Sequence, residues 1–141
     1  MEYLRAGRKE SDEGKMKTKP KRAKPFAANN ASRKLMIKEG WIVTVVEQTI
    51  PHAFIKRDAF GFGDLLCMKF GKGFMMVQST GDTHGSGNFN ARIAKLKLEP
   101  RASLWLSCGG RIQVHSWEGK KQKRTLRRVE YTVTGKIIPL V

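Results

Sequence analysis

Two short, mostly apolar runs lie near the middle of the chain, Asp64–Lys69 and Phe74–Ser79, separated by Gly71-Lys72-Gly73. Short apolar runs bounded by turn residues predict strands, and a glycine-bracketed break between two of them predicts a β-hairpin. Upstream, Trp41–Glu47 (WIVTVVE) is apolar and β-branched, the composition of a buried strand. Asn29–Ser32 supplies N-cap residues for a helix through Glu39, and Gly40 suits the position after its end. Residues 48–60 have no clean period and include Pro51, so they read as a long connection.

Beyond the hairpin, Gly81–Asn88 reads as a loop into a helix from Phe89 to Leu98. Phe89, Ile93 and Leu96 recur at i, i+4 and i+7 and should face a sheet, with Arg92, Lys95 and Glu99 on another side. The free N–H groups at the start of this helix would suit a phosphate. Pro100 opens a second short helix, Arg101–Ser107, which Gly109-Gly110 ends. Arg111–Trp117 alternates as a half-buried strand, Glu118–Arg124 is a very basic turn, and Leu126–Val133 is a last strand. This order predicts an α/β or α+β domain over residues 28–141, behind a basic arm over residues 1–27.

Centring the hairpin on Lys72 pairs residues whose numbers sum to 144, so Asp64 faces Thr80 and Leu66 faces Gln78. Asp64, Gln78 and Thr80 then share one face, with Asp64 diagonal to Gln78 at roughly 7–8 Å. That gap suits a shared oxygen-liganded metal, and a one-residue slip would move one partner to the other face. Each residue also has a plainer role. Asp64 can be a strand-end turn former, Gln78 a hydrogen-bonded structural amide, and Glu47 a solvated strand end. Asp58 reads as an ion pair with Arg57 rather than as a ligand.

Charge narrows the partners. The chain carries 28 Lys and Arg against 12 acids, a net charge of +16. Residues 28–141 alone hold 19 basic and 8 acidic residues, so the folded part is +11 without the arm. Basic surfaces of this size favour nucleic acid over anionic lipid, because each neutralised phosphate releases a counterion. Lys19, Lys21 and Arg22 in the arm and Lys120, Lys121, Lys123 and Arg124 in the hairpin fit phosphate contacts, with Arg57 and Arg92 as candidate clamps. No apolar run approaches the roughly 20 residues needed to cross a membrane, which suggests an intracellular protein. Cys67 and Cys108 are too few for a zinc motif or a disulfide framework. Gly-Lys-Ser/Thr is absent, so a nucleotide triphosphate cofactor is not expected.

An Asp followed, after about a dozen residues, by Gln-x-Thr at the end of an apolar strand resembles the PD-(D/E)XK nuclease superfamily. Within it the likeness is to phage-encoded, Holliday junction resolvase-like proteins. The pieces that carry it are Val46-Glu47, Arg57-Asp58, Phe60-Gly61-Phe62, Asp64-Leu65-Leu66, Val77-Gln78-Ser79-Thr80, Asn90-Ala91-Arg92, Lys95 and Val114-His115-Ser116-Trp117. The resemblance implies a restriction endonuclease-like α/β core, a central mixed β-sheet flanked by helices. It implies a homodimeric, Mg²⁺-dependent endonuclease, with Mn²⁺ as a substitute, that resolves four-way DNA junctions by paired nicks. Location would be the cytoplasm of a phage host, or the nucleoid. Asp64, Gln78 and Glu47 would hold the metal. Gln78 stands where the superfamily has Glu, and Thr80 where it has Lys. Lys95 is the first candidate for the missing ammonium, and Thr80 would instead hold water or a phosphate oxygen. A non-catalytic DNA-binding module on the same fold, or a basic RNA-associated protein, also accommodates the charge.

Overall fold

The structure, a computed structural model, describes residues 25–53 and 55–140. Of the basic arm only Pro25, Phe26 and Ala27 are included; Lys19, Lys21 and Arg22 lie outside the described residues. Helix α1 (Ala28–Lys38) leads into β1 (Ile42–Val45), a ribbon of β2 (Gln48–Ile50) and β3 (Ile55–Arg57), and the hairpin β4 (Leu65–Lys69) and β5 (Gly73–Asp82). Helices α2 (Gly87–Leu98) and α3 (Pro100–Ser107) follow, then β6 (Arg111–Lys120), β7 (Lys123–Tyr131) and β8 (Ile137–Leu140).

Six strands form one mixed sheet in the order β1-β4-β5-β6-β7-β8. Only β5 and β6 run parallel, because α2 and α3 carry the chain back across the sheet between them. Alternation along β5 divides the core between the two faces. Met75 and Val77 join Met36 of α1, Trp41, Leu65 and Cys67 on one face. Met76 joins Phe62, Ile112 and Val114 beneath Phe89, Ile93 and Leu96 of α2 on the other. Both faces are thus covered by helix, as the α/β reading expects, and the α2 spacing buries the three residues it singled out.

The hairpin register differs from expectation. Lys69 pairs with Gly73 and Leu65 with Val77, so paired numbers sum to 142 and the centre is Gly71. Gly71 adopts φ +76°, and Lys72 N–H closes the turn on the Lys69 carbonyl at 2.9 Å. The sum changes by two, an even number, so every side chain keeps its face while its partner changes. The ladder ends at Leu65–Val77; just beyond it Asp64 donates its N–H to the Val77 carbonyl at 3.0 Å, so the expected pairing of Asp64 with Thr80 does not form.

Three further boundaries are corrected. Gln48–Ile50 and Ile55–Arg57 pair as the β2–β3 ribbon where an irregular connection is expected, with Gln48 paired to Arg57. The basic turn is only Lys121-Gln122, since Lys120 pairs with Lys123 and the strands continue to it. Strand β8 was not foreseen; its edge position tolerates Pro139, which has no N–H to donate.

Candidate metal centre

Three short backbone closures bring distant acids together. Val46 N–H donates to the Asp64 carbonyl at 3.0 Å, which ties the end of β1 beside the start of β4. The chain then leaves the sheet as the β2–β3 ribbon, so Glu47 and Asp58 are the two feet of that ribbon. From Asp58 it reaches Asp64 through a tight loop in which Ala59 and Gly63 exchange both backbone hydrogen bonds at 2.8 Å. Gly63 lies against the Met76 side chain, where a Cβ would collide. The small residue there admits a core methionine, not a ligand.

One carboxylate oxygen each from Glu47, Asp58 and Asp64 lies within 4.8 Å of the others. Asp64 is only 4% exposed. Its Oδ2 accepts the Ser79 backbone N–H at 2.8 Å and the Gln78 amide at 3.1 Å. The same Gln78 Nε2 lies 3.4 Å from Asp58 Oδ2, which also accepts Lys95 Nζ at 2.9 Å. Asn29 Nδ2 donates to Glu47 Oε1 at 3.0 Å. Two amides and one ammonium therefore serve three carboxylates, and the centre keeps a surplus of negative charge.

That surplus is visible in the ionisation. Burial, reinforced by the neighbouring Asp58 and Glu47 charges, pushes the Asp64 carboxyl up to about 7, against the pull of the Ser79 N–H. For Asp58 burial also works upward, but the Lys95 ammonium and hydrogen bonds from Asp64 and Gln78 outweigh it and hold the carboxyl below its usual range. Without a cation, Asp64 therefore holds its proton far more tightly than Asp58 does. A second sign is the amide chemistry. Gln78 Oε1 and Asn29 Oδ1 are buried and have no hydrogen-bond partner. Buried acceptors are nearly always satisfied, and turning either amide over would present a further oxygen ligand to the cluster. Every available donor is a hard oxygen, which suits Mg²⁺, Mn²⁺ or Ca²⁺ rather than a thiol-seeking metal.

The other predicted residues divide. Lys95 reaches the cluster, and Arg57 and Arg92 line the same cleft of about 430 Å³, with Lys56. Thr80 does not join: its hydroxyl donates to the Gly81 carbonyl at 3.3 Å. Lys120, Lys121, Lys123 and Arg124 line a separate recess past the end of β5, where the Arg124 guanidinium lies 4.5 Å over the Phe26 ring. At the start of α2 the Phe89 N–H is taken by Asp82 Oδ2 at 3.1 Å, so a carboxylate already fills the role imagined for a phosphate.

Sequence reasoning missed two members. Asp58 was paired with Arg57, yet its partner is Lys95, 37 positions away. Asn29 suits a helix cap by sequence, whereas α1 starts at Ala28 and Asn29 turns its amide to Glu47. The apolar-to-acid step at Val46-Glu47 and the acids flanking a short glycine loop were the only available signals.

Among the described residues, no helix is long and apolar enough to cross a membrane. Comparison of the chain with family models, with curated proteins and with solved structures finds no match.

Proposed function

We propose that the protein is a metal-dependent, structure-selective DNA endonuclease built on a restriction endonuclease-like core, acting on branched DNA such as a four-way junction. The observation that carries this reading is the convergence of Glu47, Asp58 and Asp64 within 4.8 Å, with Lys95 on Asp58. Acids alone would describe any cation site. Acids beside an ammonium, in a cleft walled by Arg57 and Arg92 on a chain of net charge +16, fit phosphodiester chemistry.

Glu47, Asp58 and Asp64 would hold Mg²⁺, with the Gln78 amide carbonyl available after a flip of its side chain. When bound, the ion lowers the pKa of a coordinated water and offsets charge building on the scissile phosphate. Lys95 Nζ orients Asp58 and supplies the positive charge that Thr80 lacks. Arg57 and Arg92 would clamp the flanking phosphates, and the Lys120–Arg124 hairpin would add sequence-independent affinity further along the duplex. A homodimer would set two such centres for paired nicks, since a two-fold axis matches a two-fold junction.

The test is incubation of the purified chain with a labelled four-way junction and a matched duplex, in Mg²⁺, Mn²⁺ or EDTA, beside Asp64→Asn. Metal-dependent nicks on the junction that vanish in Asp64→Asn are the expected result. Tight junction binding with no cleavage in either metal would instead make the protein a non-catalytic DNA-binding module.

A further inference from the structure

Beside the acid cluster lies an aromatic slot that the proposed chemistry leaves unused. The Asp58–Asp64 loop buries Phe62 completely but leaves Phe60 53% exposed. Phe60 adopts φ +52°, a left-handed conformation unfavourable for any residue with a Cβ. Its ring gains little burial in return. The tight turn closed by the Phe62 N–H on the Ala59 carbonyl sets that backbone, but it does not call for an exposed aromatic ring at its tip.

The Phe60 ring stands beside Trp105, with centroids 6.4 Å apart and planes tilted by 40°. Trp105 is fixed by its indole N–H, which donates to the Arg111 carbonyl at 2.8 Å. With Arg101, Leu104 and Cys108 these rings line a slot of about 340 Å³. Both Glu99 oxygens grip the Arg101 guanidinium, at 2.9 and 3.0 Å, and hold its plane at the mouth. Phe60 and Arg101 also wall a neighbouring cleft of about 760 Å³ that reaches Glu47, Arg57 and Asp58.

We propose that this slot receives one unstacked nucleobase of the DNA strand whose phosphate lies at the acid cluster. The proposal rests on the endonuclease reading and gives it a selectivity element: a paired base is held in its stack, whereas an unpaired base at a branch or flap is free to enter. Ring faces and a guanidinium plane are the surfaces on which bases of any sequence stack. The shared walls with the cleft matter as much as the slot itself. Phe60 is two residues from Asp58, so a strand crossing the acids passes the mouth of the slot. Arg57 in the cleft supplies the charge for the adjoining phosphate, while Arg101, held by Glu99, offers its guanidinium plane for stacking.

The experiment uses the full chain with Ca²⁺ and two oligonucleotides carrying 2-aminopurine, one in a single-stranded flap and one fully paired. Phe60→Gly is the variant, because glycine accepts the left-handed backbone and removes the ring. The native chain should quench the flap probe, and the flap should protect exposed Cys108 from maleimide. Phe60→Gly should melt at the same or a higher temperature, lose the quenching, and bind the flap about tenfold more weakly, the loss of roughly one stacked base. Affinity for the paired probe should change less than twofold.

A folded Phe60→Gly that keeps flap affinity and quenching overturns the proposal. So does a native dimer in sedimentation that Phe60→Gly turns into a monomer with quenching intact, since a second copy of the chain would then fill the slot. Failure of the endonuclease reading looks different: the native chain then leaves junction and flap uncut in Mg²⁺ and Mn²⁺. If it also binds neither probe, both ideas fall.

Discussion

Consecutive residues of β5 serve two buried polar clusters on opposite faces of the sheet, and the two are built to different rules. Ser79 points toward α1, where Ser32 Oγ contacts Ser79 Oγ at 2.9 Å, His115 Nδ1 at 2.8 Å and the Trp117 indole at 2.9 Å. His115 Nε2 meets Gln113 Oε1 at 2.9 Å. Since that amide oxygen only accepts, His115 carries its proton on Nε2 and receives the Ser32 hydroxyl proton on Nδ1. Ser32 then donates once and accepts from Ser79 and Trp117. Every bond closes with no net charge. Gln78, one residue earlier, points toward α2 into three carboxylates, and its own carbonyl oxygen has no partner. A closed network fastens a helix; an open, charged one awaits a ligand.

The largest effect that would sharpen this contrast is on catalysis. Asp64→Asn should reduce metal-dependent nicking by at least about 10³-fold, the loss of several kcal/mol of transition-state stabilisation. In EDTA at pH 8 the same variant should be more stable by about 1–3 kcal/mol in urea unfolding, because it removes a buried charge facing two others. A variant that is both inactive and destabilised would contradict the open-site reading.

Ser32→Ala probes the closed cluster. It strands His115 Nδ1, the Trp117 N–H and the Ser79 hydroxyl in the interior, and should cost about 3 kcal/mol of unfolding free energy. Its stabilisation by Mn²⁺, read as a shift in melting temperature, should match that of the native chain. A lost Mn²⁺ response would mean the two faces are coupled through β5.

The clusters should also titrate in opposite senses. Asp64 has its folded pKa raised from 3.8 to about 7, so its ionisation opposes folding. That contribution costs nothing below the unfolded value, grows as pH rises from about 4 to about 7, and is constant above that. His115 has its folded pKa lowered from 6.5 to about 3, first by burial and then by the Arg128 charge. Its penalty is absent above 6.5 and grows as pH falls toward 3. The Asp64 contribution to metal-free stability should therefore slope down between about pH 4 and 7 and be flat above, a slope that Asp64→Asn abolishes. Divalent stabilisation should be weak at pH 5 and stronger above pH 7, as the cation displaces the Asp64 proton.

The smallest effect belongs to the cleft wall. Arg92→Ala should leave stability unchanged, weaken junction and duplex binding a few-fold alike, and lower the salt slope of log affinity by about 1. A change confined to the junction would make Arg92 a shape reader rather than a phosphate clamp.

The sequence carried the sheet, its two helical covers and the shared face of Asp64 and Gln78, because these follow from periods of 2 and 3.6. The register was off because Gly71 and Lys72 are both plausible turn centres, and only the backbone geometry chooses between them. Parity alone kept the site's face correct. Strands of three residues, such as β2 and β3, are too short to show a period, so the ribbon that brings Glu47 to Asp58 was invisible. The Ser32–His115 bond joins residues 83 positions apart, and the Lys95–Asp58 bond residues 37 apart. Neither spacing has a local signature, and adjacency made Arg57 look like the partner of Asp58.

The most direct measurement is a Mn²⁺ titration followed by electron paramagnetic resonance, on the native chain, Asp64→Asn and Ser32→Ala at pH 8. One bound Mn²⁺ per chain, kept in Ser32→Ala and lost in Asp64→Asn, is the result expected of an open metal centre opposite a closed structural network. Free Mn²⁺ throughout the native titration would contradict it and leave Glu47, Asp58 and Asp64 as an acid cluster with no metal.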